Sequence, residues 1–352
     1  MNLKKLRQEI DSIDNKILEL LNRRMEVVKK VGELKNKTSA PIYRPERELE
    51  ILSRLKKLNR GPLNDAAIEA IFLEIFAVAR NLERPERVAY LGPEGSFTHQ
   101  AAESRFGAMS DYLPMTSITA VFKAVEAKRA KYAVVPIENS IDGVVGETLD
   151  LLGQSDILIV AEIFMPIHHT FASLEEDIKK IKKIYSKDIA FGQCRNFLSE
   201  HGLEDVELIP VESTAKAAKL ASKTPGSAAI CSHIAAKLYN LPIMFENIED
   251  IHTNKTRFIV ISDFKNQKSG NDKTSILAKL DDKPGALVEF LEDFNNANIN
   301  LTKIESRPSK DIEFNYWFYI DFEGHIDDEN VKKVFEKHKS KIKWLGSYAK
   351  GN

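Results

Sequence analysis

Residues 83–98 read ERPERVAYLGPEGSFT, and the pattern changes inside them. Upstream, apolar residues recur every three or four positions, as on one face of a helix. The charged, proline-broken Glu83-Arg84-Pro85-Glu86-Arg87 then gives way to Val88-Ala89-Tyr90-Leu91, a short strand-like run. Gly92-Pro93-Glu94-Gly95 is turn chemistry, and Ser96 is an N-cap residue type whose helix start offers free N–H groups to an anion. Strand, glycine loop and helix start open an α/β layer. The sequence therefore predicts a multidomain chain, all-helical over 1–85 and α/β over 86–265. Lys265 to Lys273 is polar throughout and reads as a linker. Residues 274–352 predict strand 275–280, helix 286–296, strands 299–306 and 313–322, helix 327–338 and strand 342–348. That βαββαβ order is an α+β, ferredoxin-like module.

The 352 residues carry 51 Lys plus Arg against 52 Asp plus Glu, a balance that supports neither a nucleic-acid nor a membrane-surface partner. Cys194 and Cys231 form no CxxC or metal-type cluster, so a disulfide framework is not expected and a reducing cytoplasm fits. No signal peptide or membrane span is read in the sequence. His168-His169 has no third ligand at metal spacing, so hydrogen bonding is expected there and no metal.

In the first segment Leu3, Leu6, Ile10, Ile13, Ile17, Leu20, Val27, Val31 and Leu34 keep one register, and Arg24 occupies a position of the same seam. Such a helix is roughly 50 Å long and needs partners along its length, including a second chain. Pro45 suits the first position of a second helix, and Asn64-Asp65 caps a third. On that third helix Ile68, Phe72, Ile75, Phe76 and Ala79 form a stripe that ends in Glu83. A register-fixing polar pair is the plainer reading of Arg24 and Glu83. Lys35, almost three full turns after Arg24, with Arg47 and Glu48 opening the next helix, gathers cations as a dicarboxylate ligand requires.

Arg7, Arg24, Lys35, Arg47, Glu48 and Glu83 in this arrangement resemble the site of the helical chorismate mutases. The resemblance implies a pericyclic conversion of chorismate to prephenate, without nucleophile, proton carrier or cofactor. Arg24 and Arg7 would hold carboxylates, Lys35 would face the ether oxygen, Arg47 would support the site and Glu48 would take the ring hydroxyl. Arg7 lies about 25 Å from Arg24 along one straight helix, so it would act from an antiparallel partner chain. Glu83 stands where the family often has glutamine. It could donate to the ether oxygen only as a protonated carboxyl.

The middle segment places polar groups where strands end. Tyr132-Ala133-Val134-Val135-Pro136-Ile137 runs into Glu138-Asn139-Ser140. Ser186 and Gln193 bracket a strand-to-helix passage, Glu212-Ser213-Thr214 opens an alanine-rich helix, and Thr256-Arg257-Phe258 enters a strand. Open α/β sheets bind ligands at such ends. YLGPEGSF, VPIENSIDGVV, EST and NKTRF, in this order, resemble prephenate dehydratase. That implies a two-lobed, periplasmic-binding-protein-like fold and the decarboxylating dehydration of prephenate to phenylpyruvate. Thr256 would hydrogen-bond or protonate the departing hydroxyl, and Arg257 would bind carboxylate. Asn139, Ser140, Ser186, Gln193 and Phe258 would position substrate, with Glu138 and Glu212 as supporting polar groups. Threonine is a weak general acid, so a donor chain behind Thr256 is required, and the sequence does not show it. Lys187-Asp188-Ile189 departs from the family's usual His-Pro-Gln.

In the last segment Gly285-Ala286-Leu287-Val288 and Glu305-Ser306-Arg307-Pro308 resemble the ACT domain attached to prephenate dehydratases. It implies phenylalanine as effector, held between two paired ACT domains of a homodimer or higher homo-oligomer. Two other readings stay open. The dehydratase segment would accept arogenate, which differs from prephenate only by an amine, or the two lobes would bind an aromatic acid without catalysis.

Overall fold

The computed structural model describes residues 2–38, 43–83, 86–308 and 316–351. They divide into two compact units, 1–86 with 106–111, and 87–105 with 112–352. Arg84 and Pro85, in the predicted boundary, and residues 313–315 of the predicted strand lie outside the described residues.

The helical unit follows its seam. Helix α1 (Leu3–Thr38) is the long amphipathic element, α2 (Pro45–Leu58) starts on its proline, and α3 (Asp65–Glu83) is capped by Asn64, whose Oδ1 accepts from Ala67 N at 2.8 Å. Gly32 of α1 sits against Glu83, where an added Cβ would lie 3.3 Å from the Glu83 Cα. Much of the α1 seam finds no cover within the chain. Ile10 is 55% exposed, Ile17 49% and Leu34 64%.

In the larger unit the chain runs through β1 (Arg87–Leu91), α4 (Phe97–Phe106), β2 (Asp111–Met115), α5 (Ile118–Glu126), β3 (Tyr132–Asn139), β4 (Gly143–Val144), α6 (Gly146–Gln154) and β5 (Leu158–Pro166). A second lobe follows with β6 (Thr170–Ser173), β7 (Lys183–Ser186), α7 (Asp188–Gln193), α8 (Arg195–Glu200), β8 (Glu207–Pro210), α9 (Thr214–Ala221), β9 (Ser227–Cys231), α10 (His233–Leu238) and β10 (Ile243–Phe245). The chain then returns as β11 (Lys255–Ser262), in the middle of the first sheet, whose order is β2-β1-β3-β11-β5. The second sheet is ordered β10-β6-β9-β7-β8. Two crossings between sheets make two lobes around a cleft.

The C-terminal module comprises β12 (Asp272–Lys279), α11 (Ala286–Asn296), β13 (Leu301–Pro308), β14 (Tyr316–Glu323), α12 (Glu329–Lys337) and β15 (Ile342–Ala349), with sheet order β13-β14-β12-β15. That is the ferredoxin-like arrangement. The polar run before it is fastened down. Asn266 is buried, and its Nδ2 donates to Val160 O of β5 at 2.8 Å and to Ser347 O of β15 at 3.0 Å. Leu277, Tyr319, Leu345 and Tyr348 share one apolar core with Ile137, Ile159, Ile259 and Ile261. Residues 265–273 therefore join two parts of one packed body.

Candidate active sites

In the helical unit Arg24, Lys35, Arg47, Glu48 and Glu83 come together around two adjoining cavities of about 570 and 110 Å3. Lys35 Nζ donates to Glu83 Oε2 at 2.9 Å. Arg24 is half-buried over the Phe76 ring, 5.8 Å from its centroid, and its Nη1 is buried without a protein partner. Burial lowers the pKa of this guanidinium, against the pull of Glu48 and Glu83. A buried, unsatisfied guanidinium nitrogen suits an anionic ligand. Glu48 accepts from Arg80, a buried cation on α3 that sequence reasoning passed over. The signal was present, because Arg80 stands one turn from Phe76 and Glu83. Arg47 reaches the exposed Glu50 at 2.6 Å. Arg7 is exposed and lines neither cavity.

In the larger unit a cleft of about 480 Å3 lies between the lobes. One lobe contributes Ser96, Phe97, Thr98, Asn139, Thr256 and Phe258, and the other His169, Lys187, Gln193, Glu212, Ser213 and Thr214. Ser96 is the cap its residue type suggested, and Ser213 caps the helix it opens. Ser96 Oγ accepts from His99 N at 3.2 Å, and Ser213 Oγ accepts from Lys216 N at 3.1 Å. Phe97 and Thr98 of α4 and Thr214 of α9, the first residues of those helices, line the cleft.

The donor behind Thr256 is Asn139. Its Nδ2 donates to Thr256 Oγ1 at 2.8 Å and to Asn254 Oδ1 at 2.8 Å. Its Oδ1 accepts from Ile141 N at 2.8 Å and Asp142 N at 3.0 Å, which fixes the amide's orientation. One lone pair of Oγ1 is therefore taken, and the hydroxyl proton is left to point into the cleft. An amide donor on Oγ1 also stabilises charge that develops there.

Four residues assigned to substrate from sequence lie off the cleft. Arg257 points to the opposite face of β11, where its Nε meets Glu162 Oε2 at 2.9 Å and its Nη1 meets Asp321 Oδ2 at 2.6 Å. Strand alternation requires this, because Thr256 and Phe258 face the cleft. Glu138 also faces away and is paired with Lys303 Nζ at 2.6 Å. Ser186 is buried, its Oγ donating to Ile230 O at 2.8 Å. Ser140 Oγ accepts from Lys255 N at 2.9 Å and ties the end of β3 to the start of β11. Glu212 stands at the rim, its carboxyl held below the usual range by the ammonium of Lys216.

Lys187 and His169, which the sequence reading gave no substrate role, also line the cleft. Lys187 is the one cation among the described lining residues. His169 is buried, with Nε2 2.9 Å from Gln193 Oε1 and Nδ1 unpartnered. Burial lowers its pKa, which favours the neutral ring, and a neutral ring protonated at Nε2 would donate to Gln193 Oε1. No group of His, Cys, Asp and Glu among the described residues has metal-binding geometry.

The C-terminal module has a small cavity of about 200 Å3 lined by Leu280, Asp281, Lys283, Ala286, Leu287, Tyr316 and Phe318. Gly285 caps α11 at φ +85°, a conformation that favours glycine. Val288 is 61% exposed, outside that cavity. Glu305, Ser306, Arg307 and Pro308 end β13 and do not line it, although Ser306 and Pro308 pair with the lining residues Phe318 and Tyr316, and Arg307 Nη2 lies 3.3 Å from Asp150 Oδ1 of α6. Among the described residues the two stretches do not line one cavity.

Comparisons with known proteins agree with this division. Family models match for chorismate mutase type II at residues 6–84, prephenate dehydratase at 88–266 and the ACT domain at 274–339. The chain is 46% identical to a bifunctional chorismate mutase/prephenate dehydratase of Aquifex aeolicus, covering 99% of this chain and 98% of the relative. It is 42% identical to one of Pseudomonas aeruginosa, with the same coverage. A crystal structure of prephenate dehydratase from Arthrobacter aurescens in complex with L-Phe superposes with a TM-score of 0.69 at 33% identity, covering 75% of this chain and 90% of that one.

Proposed function

The chain belongs to the bifunctional chorismate mutase/prephenate dehydratases, and from that premise we propose how its residues divide the work. The helical unit rearranges chorismate to prephenate. The two-lobed cleft converts prephenate to phenylpyruvate, and phenylalanine inhibits through the ACT module.

The rearrangement needs a held conformer and charge at the ether oxygen, which cations supply. The unsatisfied Arg24 Nη1 carries this assignment. Lys35 is to leave Glu83 for the ether oxygen, or to share it with a protonated Glu83. Arg7 is supplied by a second copy of the chain along the exposed seam of α1, which makes the working form a homodimer or a larger assembly.

In the cleft, the C–C bond to the ring carboxylate breaks as carbon dioxide leaves. Its electrons aromatise the ring, and the ring C–O bond breaks. Thr256 Oγ1 gives its proton to the departing hydroxide, so that water leaves, and recovers a proton from solvent. The Asn139–Thr256 hydrogen bond carries this assignment. The substrate's carboxylates lie at the first turns of α4 and α9 with Lys187, and Gln193 donates to substrate through its amide. Two free, buried cysteines fit a cytoplasmic setting, and no described helix is long and apolar enough to cross a membrane.

The test is to feed the purified chain chorismate and follow both products. Prephenate should appear and then phenylpyruvate, with phenylalanine slowing the second. Prephenate that accumulates without phenylpyruvate would refute the dehydratase assignment.

A further inference from the structure

Antiparallel partners Asn139 and Thr256 face the cleft, and the next pair inward, Glu138 and Arg257, faces the ACT module. A bulge makes this possible. Arg257 pairs with Glu138 but Phe258 pairs with Pro136, so Ile137 is the extra residue on β3. Pro136 and Asn139 both reach the cleft, while Ile137 is buried in the core shared with the ACT module.

Behind the cleft Arg257, Glu162 and Glu138 each meet a partner from the ACT module. Arg257 donates to Asp321 and, through Nη2, to Tyr348 OH at 2.9 Å. Its other partner, Glu162, also takes Lys273 Nζ at 2.8 Å. Glu138 is held by Lys303 of β13, two residues before Glu305. The Arg257–Glu162–Asp321–Lys273 network is buried and satisfied, so displacing a member strands a charge, while the separate Glu138–Lys303 pair is partly exposed, with Glu138 at 36%.

We propose that Glu138 and Arg257 are positioning residues, through which Lys303 and Asp321 of the ACT module hold β3 in register with β11 and so keep the Asn139–Thr256 hydrogen bond formed. The inference rests on Thr256 being the proton donor. Lys303 then links the effector strand to the chemistry, since a shift of β13 at residues 305–308 moves Lys303 and with it the backbone of Asn139.

The experiment uses the full chain, with Lys303→Met, Glu138→Gln, the double variant and Lys303→Arg. Dehydratase kcat and KM, mutase activity and phenylalanine response are measured, with thermal unfolding as a check on folding. Lys303→Met should lower dehydratase kcat by about tenfold with KM within about twofold, leave the mutase unchanged and blunt inhibition by phenylalanine. Lys303→Arg should restore kcat. The double variant should be no worse than Glu138→Gln alone, as for residues acting through each other. A raised KM at unchanged kcat, or losses that multiply in the double variant, would overturn the proposal. Thr256→Ala in the same assay tests the premise separately, because retained phenylpyruvate formation there removes the premise whatever Lys303 does.

Discussion

In the helical unit the guanidinium of Arg24 and the ammonium of Lys35 stand inside the site, whereas in the two-lobed unit the guanidinium of Arg257 stands behind it. The two reactions account for the contrast. A pericyclic rearrangement keeps both carboxylates, so cations that grip them cost nothing later. Decarboxylation disperses the charge of one carboxylate, so a guanidinium locked onto that group stabilises the ground state more than the transition state. In the proposed assignment the cleft instead offers a neutral donor, Thr256, to the group that gains charge. Completeness differs as well. The cleft is lined from within one chain, while Arg7 lies out of reach of Arg24 in its own chain.

The largest effect should come from removing the neutral donor. Thr256→Ala should lower phenylpyruvate formation by about 10²–10⁴-fold, the usual span of general acid catalysis, and leave prephenate formation intact. Equal loss of both activities in a folded variant would break the division into two sites. Next comes completeness. Ile17→Lys places a charge on the exposed seam and should disrupt pairing between chains. Mutase activity should fall by about 10²-fold, the cost of one lost charge-stabilising group, with the dehydratase far less affected. The measurement is both activities beside the mass in solution. A variant that stays paired and loses nothing shows that the seam of α1 is not the interface.

Much of this was legible in local chemistry. Pro45 and Asn64 marked helix starts, and the βαββαβ order of the last module followed from its periods. The serines capping α4 and α9 could be read one residue at a time. Strand-facing was harder. From Pro136, strict alternation would send Glu138 into the cleft and Asn139 behind it. The bulge at Ile137 reverses that, and no residue type announces a bulge of this kind. Arg257 looked like a carboxylate ligand because it adjoins Thr256, yet neighbours on a strand face opposite ways. Its partners Asp321 and Tyr348 lie 64 and 91 positions away, beyond what local pattern can reveal. The run 265–273 is a different case. Composition showed its polarity, but the burial of Asn266 depends on carbonyls of two distant strands.

A smaller effect tests whether the cleft uses cations at all. Lys187 is exposed at the start of α7 and is the lining cation that remains once Arg257 is placed behind the sheet. Lys187→Ala should raise KM for prephenate about tenfold, the order of one charge-assisted contact, and change kcat little. Steady-state kinetics at two salt concentrations checks this, since screening should shrink the difference between the proteins. A variant with unchanged KM would mean that the helix starts hold the carboxylates unaided.

The smallest expected effect concerns acid stability and separates the two units by their histidines. His99 and His169 lie in the two-lobed unit, and burial lowers the pKa of each, for His99 against the pull of Glu103 and Glu94. His99 Nδ1 accepts from Gly95 N at 3.2 Å, which fastens the glycine loop at the cleft mouth and requires that nitrogen unprotonated. A folded-state pKa below the unfolded value of about 6.5 means that the unfolded chain binds the proton first. The contribution of these imidazoles is therefore fully present above about pH 6.5 and is lost as pH falls toward their folded values. Glu249 acts in a lower window. Its carboxyl is held below the usual range by His168, the backbone of His169 and His252, against burial, so its contribution falls only when that group protonates. Thermal unfolding of the full chain between pH 7 and 5 should show a decline in the transition of the larger unit. In His99→Asn the side-chain oxygen can accept from Gly95 N without titrating, so its decline should be shallower. An identical slope in both proteins would mean that the proton on His99 is not what loosens the loop.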